Sequence, residues 1–62
     1  MPSYINIRKQ ARKPRIWVAV KGGKSEPTVR AFELNPEGVT EETRAALIPV
    51  YRALELTLTE RA

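Results

Sequence analysis

The chain has 62 residues, 11 Lys and Arg against 7 acidic residues, and a formal net charge of +4. It contains neither cysteine nor histidine, and all of its acids are Glu. This excludes disulfides, Cys/His zinc centres, Asp-based calcium loops and the usual neutral-pH general bases and thiolate nucleophiles. A chain this short forms one small basic domain over 1–62, and burying only part of its surface leaves it marginally stable. Self-association, as a homodimer, is the expected source of the shortfall.

The charge is unevenly placed. Residues 1–30 carry eight Lys/Arg and one Glu, whereas residues 31–62 carry three Arg and six Glu. Five of the eight residues from Arg8 to Arg15 are basic (Arg8, Lys9, Arg12, Lys13 and Arg15). Such polarity suits one basic face turned to an anionic partner. The N-terminus lacks the apolar run of a secretory signal, and no stretch has the length of a membrane span, so the expected setting is cytoplasmic.

In chain order, Tyr4-Ile5-Asn6-Ile7-Arg8 alternates polar and aliphatic residues and reads as a first strand. Gln10 to Pro14 breaks the pattern as a loop. Arg15 to Lys21, rich in β-branched and aromatic residues, reads as the strongest strand. Gly22-Gly23-Lys24-Ser25-Glu26-Pro27 reads as a hairpin loop and Thr28 to Leu34 as the returning strand. The loop superficially resembles the end of a phosphate-binding loop but lacks its upstream glycine and following helix.

A trial register pairs Lys21 with Thr28 and Trp17 with Phe32. One face then holds Ile16, Val18, Val20, Val29 and Ala31. The other holds Trp17, Ala19 and Phe32 among Arg15, Lys21 and Arg30.

Asn35-Pro36-Glu37-Gly38 has the residue order of a type I turn. Thr40 is the expected N-cap of a final helix, with Glu41 and Glu42 in its first turn. Leu47, Val50, Leu54 and Leu58 make its apolar stripe, widened by Ile48 and Tyr51. Pro49 lies inside the stripe and implies either a kink or a junction of two helices near Ile48, the kink being preferred because Ile is a poor cap.

The fold expected is therefore α+β: a three-stranded antiparallel sheet in β-β-β-α order, packed on one C-terminal helix kinked near Pro49. That arrangement is like that of some small DNA-binding domains, such as the arm-binding domains of phage integrases, though no sequence motif accompanies the likeness. The function expected is non-catalytic, with no cofactor or metal: a small DNA-binding or other nucleic-acid-binding regulator. Arg8, Lys9, Arg12, Lys13, Arg15, Lys21, Lys24 and Arg30 would meet phosphates, with Trp17 stacking on a base or pressing on sugars. The alternative is a small inhibitor or adaptor whose basic face docks on an acidic protein surface.

Overall fold

The computed structural model describes residues 3–61, with side chains through Leu58. Four helices follow one another: α1 Tyr4–Gln10, α2 Arg15–Gly22, α3 Glu26–Leu34 and α4 Glu41–Arg61, with a 3₁₀ turn at Pro36–Gly38 before α4. No strand occurs among the described residues, so the expected three-stranded sheet, its hairpin and the trial register are all overturned.

Each expected strand is a helix, for an identifiable reason. In α1, Tyr4, Ile7 and Arg8 share the three- and four-residue spacing of a helical face; Ile7 and Arg8 are buried and Tyr4 packs on the core. The short polar–aliphatic alternation also fits this face, which makes periodicity ambiguous over five residues. In α2 the inward face is Arg15, Val18, Ala19 and Gly22, spaced 3, 1 and 3. Its apolar members are small, so the pattern is faint. The bulky β-branched residues point outward instead: Ile16 is 54% and Val20 72% exposed. In α3, Val29, Phe32 and Glu33 are buried at helical spacing. The penalty for β-branched residues in a helix is below about 0.7 kcal/mol each. Full burial of a Val or Phe side chain returns roughly 1.5–3 kcal/mol.

The apparent hairpin loop does a different job. Gly23 adopts φ 70°, a left-handed conformation that glycine reaches without steric penalty. Its N–H donates to Val20 O at 3.3 Å, and the Lys24 N–H donates to Ala19 O at 2.9 Å. This pair of bonds is the Schellman end of a helix. Two residues on, the Ser25 side chain accepts from the Thr28 N–H at 3.4 Å and Pro27 lies in the first turn, so the same segment starts α3. A Ser cap followed by Pro inside the first turn is a helix-start signal.

The remaining elements follow their local chemistry. The Gly38 N–H donates to Asn35 O at 2.9 Å, closing the turn. Thr40 caps α4, its Oγ1 accepting from the Thr43 N–H at 3.2 Å. Arg44 Nη1 donates to Val39 O at 2.8 Å and Pro36 O at 3.2 Å, tying the turn to α4. Pro49 sits within one continuous helix, so no junction of two helices forms there. Pro49 and Ala45 are both exposed, which leaves the carbonyl freed by the missing donor on the side open to water.

Helix α4 packs against α1, α2 and α3. The core is Ile7, Val18, Ala19, Val29, Phe32, Leu47, Tyr51 and Leu54. At its centre the rings of Tyr4, Phe32 and Tyr51 lie 4.8–5.6 Å apart in tilted contacts, a favourable range for aromatic pairs. Trp17 is only half-buried, at the edge of this core. It does not share a face with Phe32, which is fully buried.

Candidate functional site

The basic run of the sequence is divided by the fold into an inward and an outward set. Arg8 faces inward. Its Nε donates to Glu33 Oε2 at 2.6 Å and its Nη2 to Oε1 at 3.2 Å, while Nη1 reaches Lys13 O at 3.1 Å. Arg15 is half-buried, with Nε 3.4 Å from Glu33 Oε1 and Nη1 3.8 Å from Glu26. That Nε makes no hydrogen bond, the contact with Glu33 being electrostatic only. The Tyr51 hydroxyl donates to Glu33 Oε2 at 2.6 Å.

One carboxylate from α3 therefore holds groups from α1, α2 and α4. Burial raises the Tyr51 hydroxyl well above its ordinary pKa, and the hydrogen bond to Glu33 and the nearby negative charge push it further. Tyr51 and Glu33 resemble an acid–base pair by distance. Both are sealed, however: Tyr51 is 0% exposed and the Glu33 side chain 1%. The geometry suits a clamp that joins four helices rather than a site that admits substrate.

The outward set gathers at Trp17. Lys13 Nζ lies 5.0 Å and Lys21 Nζ 5.5 Å from the ring centroid, within cation–π range. Trp17 and Lys21 are four apart in α2, the helical spacing that brings side chains to one face, whereas Lys13 reaches the ring from the segment before the extended N-cap Pro14. Lys9, in α1, and Arg12, in the turn between α1 and α2, are exposed. Lys9, Arg12, Lys13, Lys21 and Arg30 form no ion pair among the described residues. Lys24 does: it lies 3.3 Å from Glu42 at the start of α4. Arg30 is exposed on α3, a different helix.

Two open cavities meet at Trp17. One, of about 270 Å³, is lined by Ala11, Lys13, Trp17, Ala53, Leu54, Thr57 and Leu58. The other, of about 410 Å³, is lined by Trp17, Lys21, Pro49, Val50 and Ala53. They share Trp17 and Ala53, so they form a groove along α4 with one lysine lining each part. No described carboxylate lines either part.

Of the nine residues expected to bind, the fold thus brings Lys13, Trp17 and Lys21 together. It places Lys9 and Arg12 nearby in the chain, turns Arg8 and Arg15 toward Glu33, pairs Lys24, and leaves Arg30 apart. Sequence reasoning missed the groove floor on α4 and the Glu33–Tyr51 clamp. The four-residue spacing of Trp17 and Lys21 was the available signal for the groove, once Arg15–Gly22 is read as helical; Lys13 lies outside that helix.

No helix among the described residues is long and apolar enough to cross a membrane. No family model, curated protein or solved structure matches the chain.

Proposed function

We propose that this protein is a non-catalytic docking module that seats an acidic protein surface on the basic rim around Trp17. The observation that carries the reading is the pair of lysines, Lys13 and Lys21, straddling the Trp17 ring over an apolar floor. Cations with no ion pair among the described residues, beside a half-buried aromatic and aliphatic groove, favour a partner that has both carboxylates and apolar side chains.

Nucleic acid is the rival for the same cations. An aromatic sheet face would have favoured it, and no such sheet is present among the described residues. The Trp17 ring already carries two lysines and borders α4, rather than standing clear as a stacking platform. Arg8, Arg15 and Lys24 also face carboxylates of the protein itself. Of the remaining cations Lys13 and Lys21 line an apolar groove and Arg30 stands apart on α3, which is not a continuous track for a phosphate backbone.

The test is a titration followed by the emission of Trp17, the single tryptophan. Poly-glutamate and a mixed-sequence DNA duplex are added separately at about 50 and about 200 mM salt, a range over which phosphate-driven affinity falls steeply. The expected result is a saturable response to poly-glutamate at low salt, abolished by Lys13→Glu with Lys21→Glu and retained by Lys24→Glu. A response to duplex alone would replace the protein-docking reading with the nucleic-acid one.

A further inference from the structure

We infer that the Trp17 groove takes an acidic amphipathic helix that inserts two bulky apolar side chains, four residues apart, on either side of the Trp17 ring. The inference rests on the docking reading and specifies its partner.

The geometry of the floor sets the spacing. One cavity centres on α4 residues 53–58 and the other on 49–53. At 1.5 Å of rise per residue, their centres lie about 7 Å apart along α4. Residues i and i+4 of a second helix are separated by about 6 Å of rise. A helix laid along α4 would thus place one side chain in each cavity, with Trp17 as the ridge between them. This is helix-in-groove recognition, in which apolar anchors on one face carry specificity. A groove open to solvent suits side chains presented by a partner better than a small molecule, which is normally enclosed over most of its surface.

The charges set the composition. Lys13 lines one part of the groove and Lys21 the other, both beside the Trp17 ring, and no described carboxylate lines either part. A partner helix with Asp or Glu beside each of its two anchors would meet a lysine in each part of the groove. A basic helix would meet like charge in both. Arg12, between the lining residues Ala11 and Lys13, adds to this bias, being exposed and without an ion pair among the described residues.

Synthetic peptides of about 15 residues, long enough for appreciable helix, test the inference with the full chain. One is Glu-rich with Leu at i and i+4; a second replaces both Leu by Ala at unchanged charge; a third exchanges Glu for Lys in the Leu peptide. Binding is read at about 50 mM salt from the polarisation of a dye on the peptide and from Trp17 emission. The acidic Leu peptide is expected to bind at least about tenfold more tightly than the Ala peptide and to shift Trp17 emission to shorter wavelength. The Lys peptide should not bind. Lys13→Glu with Lys21→Glu should weaken the acidic Leu peptide at least about tenfold, with circular dichroism showing the fold retained. Equal affinity for the Leu and Ala peptides would overturn the two-anchor inference while leaving charge-based docking intact. No binding by either acidic peptide would overturn both.

Discussion

The Tyr51 hydroxyl of α4 donates to Glu33 of α3 across 2.6 Å, in a part of the core closed to solvent. The same carboxylate oxygen accepts Arg8 Nε from α1 at 2.6 Å, and Arg15 of α2 lies beside the other oxygen. A buried carboxylate persists only when it is paired and hydrogen-bonded, and here both conditions are met by other helices.

Glu33→Ala should therefore be strongly destabilising. It leaves Arg8 buried without its partner and Tyr51 without its acceptor, at a cost of about 3–5 kcal/mol. A domain of this length is stable by roughly 3–9 kcal/mol in total, so urea melts followed by circular dichroism should show most of the stability gone. Arg8→Met combined with Glu33→Leu and Tyr51→Phe should recover much of it, because apolar replacement of all three groups leaves no buried partner unsatisfied. A Glu33→Ala midpoint equal to that of the parent would refute the clamp.

Tyr51 also makes stability depend on alkaline pH. Its hydroxyl titrates near 10 in the unfolded chain and higher in the folded one. The unfolded state therefore releases this proton first, and the contribution is complete below pH 10 and falls as pH rises above it. The slope for one such proton is about 1.4 kcal/mol per pH unit. Tyr51→Phe should lower stability at neutral pH by about 1.5–3 kcal/mol, the value of a hydrogen bond to a charged group. It should also flatten the loss between about pH 10 and about pH 11.5. Urea midpoints for both proteins across that interval check the sign; parallel curves would contradict it.

Arg12 ends α1 with φ 58°. Its N–H donates to Lys9 O at 3.0 Å and the Lys13 N–H to Arg8 O at 3.2 Å, the same Schellman pattern that ends α2 at Gly23. A side chain in this conformation costs about 1–2 kcal/mol, partly offset in a Gly variant by the larger entropy of the unfolded chain. Arg12→Gly should stabilise by about 0.5–1 kcal/mol, and Gly23→Ala should destabilise by about 1 kcal/mol although nothing crowds its Cβ. Thermal melts that rank the two variants in the opposite order would show that the left-handed backbone does not set these costs.

Gly22 presents the complementary case. A Cβ there would lie 2.7 Å from Leu47 Cδ2, and Leu47 is fully buried, so it has little room to swing aside. Overpacking costs about 1–3 kcal/mol, more than the roughly 1 kcal/mol that Ala gains over Gly in a helix. Gly22→Ala should destabilise and Gly22→Ala with Leu47→Val should lose less than the sum of its parts. Strict additivity in denaturant melts would mean that the contact is not made.

Much of the local punctuation was legible. Thr40 followed by two Glu marks a helix start, and the side chain does cap there. Asn35 to Gly38 reads as a turn and closes as one. Leu47, Val50, Leu54 and Leu58 mark the inner side of α4, where Leu47 and Leu54 are buried and Val50 and Leu58 pack on them. The middle of the chain was not legible in the same way. Ile16, Val18 and Val20 look like a strand by composition, yet only Val18 is buried. Ser25-Glu26-Pro27 carried a helix-start signal that the glycines before it obscured.

The sequence alone determined where α4 begins, which of its residues turn inward, and that disulfide and Cys/His zinc chemistry are closed to this chain. These follow from the side chains present and from interactions within a few residues. Only the tertiary structure decided that residues 4–34 are largely helical, that Arg8 and Arg15 turn toward Glu33, and that Lys13 and Lys21 flank Trp17. Local propensities there differ by only tenths of a kilocalorie per residue. Burying Val18, Val29, Phe32 and Tyr51, and finding partners for one buried carboxylate, involves several kilocalories and depends on residues as many as 25 positions apart.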